Sequence, residues 1–210
     1  MIALDCVTMV SHGRAPLRRA SFDFTPGIWH VAAEQPGDAR MLIHLLAGQI
    51  APQEGAVCAA GRRSWPLGQT MPLGAALTGI DTIDTLASLY GLHRGETLAL
   101  FRALLTAPVY LSARLERWPP ALQRQFAQIA YLAPPLDIYL LDISPVLPDA
   151  KFMARWLPLF RERIAGKVAI VAAEHRAALR DLPGARLMLR DGALRRIGER
   201  DAIQSALAAE

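Results

Sequence analysis

Apolar and polar positions along the chain follow two periods, one typical of strands and one typical of helices. Strand-like patterns open the chain and return in its second half, where short apolar runs alternate with helical patterns. The predicted strands are Ile2–Thr8, Ser21–Phe24, Ile28–Ala33, Ala56–Ala60, Ile138–Asp142 and Lys167–Ala173, and the predicted helices are Gly37–Gly48, Leu122–Leu132, Lys151–Ile164 and Arg200–Ala209. This order predicts an α/β fold with a largely parallel core.

Two further patterns complete the predicted architecture. Apolar residues recur at helical spacing in Ile80–Ala107, and Arg186–Arg190 and Ala193–Ile197 flank an Asp191-Gly192 turn that is typical of a β-hairpin. No internal repeat or low-complexity linker interrupts the 210 residues. We therefore expect a single domain over residues 1–210, with a helical sub-region at about 78–134.

Charge and composition exclude some functional classes. The net charge of +4 and the pI of about 9.5 come almost entirely from arginine. There is no zinc finger, aromatic RNA-binding motif or basic helix, so the charge favours a solvated surface over nucleic-acid binding. Attraction to anionic lipid headgroups stays open as an alternative.

Candidate metal ligands and membrane segments are also scarce. The five histidines show no ligand spacing, so no metal site is expected, and Cys6 and Cys58 lie in apolar runs that predict small buried side chains. No leader pattern opens the chain, and no apolar stretch reaches the ~18 residues that span a bilayer. The expected location is the cytoplasm, with peripheral contact at the inner face of the cytoplasmic membrane as an alternative.

The segment after the strand Ile28–Ala33 has the layout of a phosphate-binding loop without its chemistry. A turn ending in Gly37 leads into an apolar helix, which is where G-x-x-x-x-G-K-[ST] would cradle phosphates. The lysine position is Ala39, and the first lysine of the whole chain is Lys151. The scaffold of a phosphate loop is predicted to be kept and its function removed.

Several motifs, taken in order, resemble the ATP-binding subunit of an ABC transporter, in particular the branch that exports capsule and O-antigen polysaccharides. The resemblance covers almost the whole chain. The motifs are Ser64-Trp65-Pro66-Leu67-Gly68, Leu77-Thr78-Gly79-Ile80-Asp81, Leu89-Tyr90-Gly91-Leu92, the Walker-B-like Ile138–Asp142 and the following Pro148-Asp149-Ala150-Lys151-Phe152. The resemblance implies a P-loop-type ABC nucleotide-binding-domain fold with a helical insert and an antiparallel β element.

The resemblance also places the nucleotide-binding positions, and most carry the wrong residue. The remnant positions are Gly37, Asp38, Ala39, Arg40, Met41 and Asp142. A carboxylate at Asp38 would repel phosphate by roughly 4 kcal/mol per charge pair at ~4 Å and an effective dielectric of ~20, and Arg40 is expected to offset part of that. Only Asp142 matches the residue that the family has at its position. An acid kept at the end of a strand to accept a loop hydrogen bond would give the same sequence pattern.

The remaining catalytic positions of the family also carry other residue types. The adenine-stacking aromatic falls on Ser11 or His12, and the Q-loop glutamine falls on Gly74. The signature Ser-Gly falls on Pro119-Pro120-Ala121, which suits a helix start but removes the donors to phosphate. The catalytic glutamate is Ile143, and the switch histidine falls on Ala173 or Glu174, with His175 a neighbour. No catalytic residue and no cofactor are therefore expected.

The resemblance leads to a non-hydrolysing subunit with a structural or regulatory role in a cell-envelope polysaccharide system. The expected partners are an ABC permease, a competent ATPase subunit or a polysaccharide-synthesis protein, with a homodimer as an alternative and membrane contact only through a partner. The docking candidates are Trp65, Pro66, Leu67, Gly68, Leu77, Thr78, Gly79 and Tyr90.

Two other functions stay open. One is an enzyme that binds and hydrolyses Mg-ATP through a rearranged site, with Arg40 replacing the lysine and Asp142 on the metal. The other is a soluble adaptor that is no longer tied to transport.

Overall fold

The computed structural model describes residues 1–11, 13–35, 37–68, 74, 76–142, 149–172 and 182–197. The chain divides into two compact units. The first comprises Met1–Gly68, Leu136–Pro145 and Gly166–Glu210, and the second comprises Gln69–Pro135 and Val146–Ala165. The predicted terminal helix Arg200–Ala209 lies outside the described residues.

The first unit contains two sheets and one helix. The strands are β1 (Ile2–Ser11), β2 (Arg14–Phe24), β3 (Gly27–Ala33), β4 (Glu54–Ala59), β5 (Ile138–Asp142), β6 (Val168–Ala172), β7 (Ala185–Arg190) and β8 (Ala193–Ile197), and the helix α1 is Asp38–Ala47. An antiparallel sheet has the order β2-β1-β4, and a five-stranded sheet has the order β5-β6-β3-β7-β8. Its first four strands are parallel, and β8 returns antiparallel to β7.

Continuous apolar runs form β5 and β6, which are neighbours at one end of the five-stranded sheet. All residues of β5 and β6 are buried, as expected for parallel strands covered on both faces. The core of the unit combines residues from both sheets with the apolar face of α1, where Leu42, Ile43 and Leu46 are fully buried. The mixed α/β fold and the Asp191-Gly192 hairpin are confirmed.

The expectation for the two cysteines is wrong, because both are exposed. Cys6 sits where the pairing of β1 with β2 shifts register, with φ at 48°, so the bulge turns its side chain away from the core. Cys58 lies on β4, an edge strand whose residues are mostly exposed.

The second unit is helical. Its helices are α2 (Gly79–Tyr90), α3 (Arg94–Leu104), α4 (Pro120–Leu132) and α5 (Ala150–Ile164), and two short 3-10 helices, Pro108–Ser112 and Leu115–Arg117, connect α3 to α4. Aromatic contacts fill the interior, with ring centroids of Phe101 and Phe126 4.6 Å apart and those of Trp156 and Phe160 4.7 Å apart. Among the described residues, no helix combines the length and apolar character needed to cross a bilayer.

Candidate functional site

The N-terminus of α1 carries a carboxylate of the chain itself, which is paired with an arginine. Gly37 precedes the helix at φ 86°, a conformation that favours glycine, and Asp38 is the first helical residue. The Asp38 side chain is only 12% exposed, and its two oxygens lie 3.3 and 3.4 Å from the guanidinium nitrogens of Arg14. A carboxylate is favoured at the positive end of the helix dipole, so Asp38 stabilises the N-terminus of α1. In the family that the sequence resembles, this helix end binds phosphate.

A second ion pair joins α1 to the end of β5. Arg40 Nε donates to Asp142 Oδ2 at 2.6 Å, and the Asp142 side chain is only 2% exposed. His44 lies one helical turn after Arg40, with Nε2 3.8 Å from the same oxygen. The expectation that Arg40 offsets the charge of Asp38 is therefore corrected: Arg14 pairs with Asp38, and Arg40 pairs with Asp142.

The residues at this site do not fit a nucleotide phosphate and its magnesium ion. The lysine position is occupied by the fully buried methyl group of Ala39. The serine position carries Arg40, whose guanidinium has donors but no lone pair for a metal. Over the part of the chain that the structure describes, no three His, Cys, Asp or Glu side chains are grouped to hold a metal ion.

A cleft of about 500 Å³ opens beside the α1 N-terminus, within the first unit. Its charged lining consists of Arg14, Arg18, Arg190, Glu34, Asp38 and Asp191. Arg190 Nε lies 3.6 Å from Glu34 and 3.5 Å from Asp191. Among the described residues, three positive and three negative side chains line the cleft, so this part of the lining does not select for an anion.

The remaining catalytic positions of the family either lie in turns and at the ends of helices and strands or fall outside the described residues. Gly74 is exposed, and its carbonyl accepts a hydrogen bond from the Leu77 N–H at 3.1 Å. Pro119 caps α4 and Pro120 begins it, so the prolines mark a helix start. Ser11 ends β1. His12, Ile143, Ala173, Glu174 and His175 lie outside the described residues.

The docking candidates fall into both units. In the first unit, Pro66 and Leu67 are buried, while Trp65 and Gly68 are partly exposed. In the second unit, Gly79 is buried, and Leu77, Thr78 and Tyr90 are partly exposed. Thr78 has a local structural role, because its hydroxyl accepts from Asp81 N and the Asp81 carboxylate accepts from Thr78 N in a capping box at the start of α2.

Sequence reasoning missed two residues of the site, Arg14 and His44. Arg14 begins β2, and it reaches Asp38 because the hairpin β1–β2 ends beside α1. No local motif marks it. His44 had a signal, since it follows Arg40 by four residues and helical spacing puts both on one face.

The fold is that of the ATP-binding cassettes of ABC transporters. A solved ATP-binding subunit of an ABC transporter superposes with a TM-score of 0.80 at 15% identity, covering 99% of this chain and 93% of that one. A dimeric ATP-binding cassette in a post-hydrolysis state, bound to ADP and Pi, gives 0.73 at 18% identity, covering 94% of this chain and 98% of that one.

Sequence comparison finds a similarity to one kind of ATP-binding subunit. The chain is 25% identical over 137 residues to the capsule polysaccharide export ATP-binding protein CtrD of Neisseria meningitidis serogroup B. The alignment covers 65% of this chain and 63% of the length of that relative. No protein-family model matches the chain.

Proposed function

We propose that this protein is a non-hydrolysing homologue of ABC ATP-binding subunits, with a structural or regulatory role in a cell-envelope polysaccharide export or synthesis system. The cassette fold supports the class, and the likeness to a capsule export ATP-binding protein supports the system. The proposed role requires no nucleotide or metal cofactor.

The observation that carries the proposal is the Asp38–Arg14 ion pair at the N-terminus of α1. A phosphate group placed there would meet the buried Asp38 carboxylate, which Arg14 already neutralises. It would also lack the lysine that reaches the β and γ oxygens, because Ala39 stands in its place. The site favours the chain's own ion pair over an incoming nucleotide.

A thermal-shift titration with Mg-ATP and Mg-ADP, run with a phosphate-release assay, tests this proposal. A ligand at ~100 times its Kd stabilises by about 2.7 kcal/mol, a shift of several degrees for a chain this size. We expect no shift at millimolar nucleotide and no phosphate release. A saturable shift with phosphate release that Asp142→Ala abolishes would establish the rearranged enzyme instead.

The partner is proposed to be a permease, a competent ATPase subunit or a polysaccharide-synthesis protein, which would hold the chain at the inner face of the membrane. Leu89 is 68% exposed beside the docking candidate Tyr90, and Val109 is 81% exposed outside that segment. Leu89→Glu should reduce capture of the partner from detergent-solubilised membranes, and Val109→Glu is the matched control. Equal capture by both variants would remove Leu77–Tyr90 as the docking surface.

A further inference from the structure

This site does not fit a magnesium ion because an arginine stands where the metal-binding hydroxyl would be. In P-loop NTPases, Mg²⁺ is held by the loop Ser or Thr and by the aspartate at the end of the Walker B strand. The aspartate is present as Asp142, at the end of β5, but the hydroxyl position carries a cation, Arg40. The two side chains are 102 residues apart in sequence and joined at 2.6 Å.

We propose that the Arg40 guanidinium is a built-in replacement for the divalent cation at Asp142, so that the chain neutralises this buried carboxylate by itself. The inference deepens the proposed non-hydrolysing function, because it explains how the cassette keeps its strand-end aspartate without a ligand. The position beside Asp142 is a cation site, and removing the Arg40 guanidinium opens it to a divalent metal ion.

Burial explains why Asp142 needs a cation. The residue is 1% exposed, and every residue of β5 is buried. A buried carboxylate without a counter-charge is strongly destabilising, whereas a short charge-assisted hydrogen bond compensates the lost hydration. Arg40 meets that need from a side chain that is 46% exposed, so its stem reaches inward from the surface.

Among the described residues, Arg40 is the closer of two basic side chains that lie beside Asp142. His44 Nε2 is 3.8 Å from Asp142 Oδ2, which is beyond hydrogen-bond distance. The nearby carboxylate Asp38 is paired with Arg14 and does not share Arg40. The Asp142 backbone is fixed separately, since its N–H donates to the Leu67 carbonyl at 2.8 Å. A metal ion would have to displace the Arg40 guanidinium.

The first experiment measures Mn²⁺ binding by water-proton relaxation enhancement, without nucleotide, because this method detects millimolar affinities. The variants are Arg40→Ser, which restores an oxygen ligand beside Asp142, Arg40→Lys, which keeps a cation, and the double variant Arg40→Ser/Asp142→Asn. We expect Arg40→Ser to bind Mn²⁺ at least about tenfold more tightly than wild type. Wild type, Arg40→Lys and the double variant should bind equally weakly.

Two outcomes overturn the inference. Mn²⁺ binding to wild type that Asp142→Asn removes would show that Arg40 does not exclude the metal. A folded Arg40→Ser variant that binds no more Mn²⁺ than wild type would show that the position is not a cation site. Neither outcome depends on ATP hydrolysis, so failure here is distinguishable from failure of the proposed function.

A second measurement covers the case in which Arg40→Ser does not fold. Arg40→Gln keeps a hydrogen-bond donor but loses the charge, and Arg40→Lys keeps the charge. We expect Arg40→Gln to lower the melting temperature more than Arg40→Lys, and adding Asp142→Asn to Arg40→Gln to recover part of the loss. If Arg40→Gln is as stable as wild type, hydrogen bonding alone explains the contact and the inference is wrong.

Discussion

His30, on β3, is a residue whose surroundings predict a pH-dependent stability. Burial lowers the pKa of His30, and the charge of Arg186 lowers it further, against the hydrogen bond that Nε2 makes to the Leu182 carbonyl at 2.9 Å. The unfolded chain then takes up the proton first. Stability is therefore complete above the unfolded pKa of about 6.5 and is lost as the pH falls from there toward the folded pKa.

Urea unfolding at pH 7.5, 6.5 and 5.5 measures this effect, with His30→Gln as the variant. Glutamine can still donate to the Leu182 carbonyl, but it does not titrate. We expect the wild type to lose stability over this range and the variant to lose less. A variant with the same slope as wild type would assign the pH dependence to another group.

Single residues of the site were predictable from sequence to different degrees. Ala39 in the lysine position is visible by motif spacing alone. The partners of Asp38 and Asp142 are not, because Arg14 is 24 residues away and Arg40 is 102 residues away from the group it neutralises. Opposite charge and closeness in sequence predicted that Arg40 would pair with Asp38. In the folded chain, the Arg40 side chain instead contacts Asp142 at the end of β5.

At the scale of elements, the start of α2 depends on the absence of a side chain at Gly79. A Cβ there would lie 2.8 Å from Trp118 Cζ2 and 3.1 Å from Leu111 Cα. Gly79→Ala should destabilise the protein by about 1–3 kcal/mol through overpacking. Gly95→Ala in α3 is the matched control, because its Cβ meets only the exposed His93 ring at 3.2 Å and alanine favours helix.

Chemical denaturation of both glycine variants tests the steric role of Gly79. Loss of stability in Gly79→Ala with little change or a gain in Gly95→Ala would assign Gly79 to the packing of the second unit. If Gly79→Ala is as stable as wild type, the close contacts with Trp118 and Leu111 relax without cost.

The N-terminus of α5 gives a second prediction for an element. Asp149 accepts from Phe152 N at 3.0 Å and from Gln125 Nε2 at 3.0 Å, and the Phe152 N–H is the main cause that lowers the pKa of Asp149. Asp149→Ala should cost about 1 kcal/mol, while Asp149→Asn should cost less because asparagine also caps helices. Equal losses in both variants would show that the charge, and not the cap, matters.

Element types were more predictable than exposure. The buried runs of β5 and β6 and the Asp191-Gly192 hairpin follow from apolar periodicity and turn chemistry. The exposure of Cys58 does not, since an apolar strand looks the same at an edge and in the centre of a sheet until its neighbours are known. The bulge at Cys6 likewise depends on pairing with β2.

At the scale of the whole molecule, the proposed function separates the cassette fold from ATP hydrolysis. The chain superposes on an ATP-binding subunit over 99% of its length, yet Asp38 and Arg40, in the first turn of α1, form ion pairs with other side chains of the chain. A fold does not by itself imply the function of its relatives. We therefore expect that a few substitutions in α1 would create nucleotide binding without ATP hydrolysis.

The triple variant Asp38→Gly, Ala39→Lys, Arg40→Ser tests that separation. It removes the carboxylate from the helix N-terminus and supplies the lysine and hydroxyl that contact phosphate and Mg²⁺. We expect Mg-ATP to raise its melting temperature by several degrees at saturation, with no phosphate release because Ile143 follows Asp142 where the family has its catalytic glutamate. A folded triple variant that does not respond to Mg-ATP would show that residues outside α1 also prevent nucleotide binding.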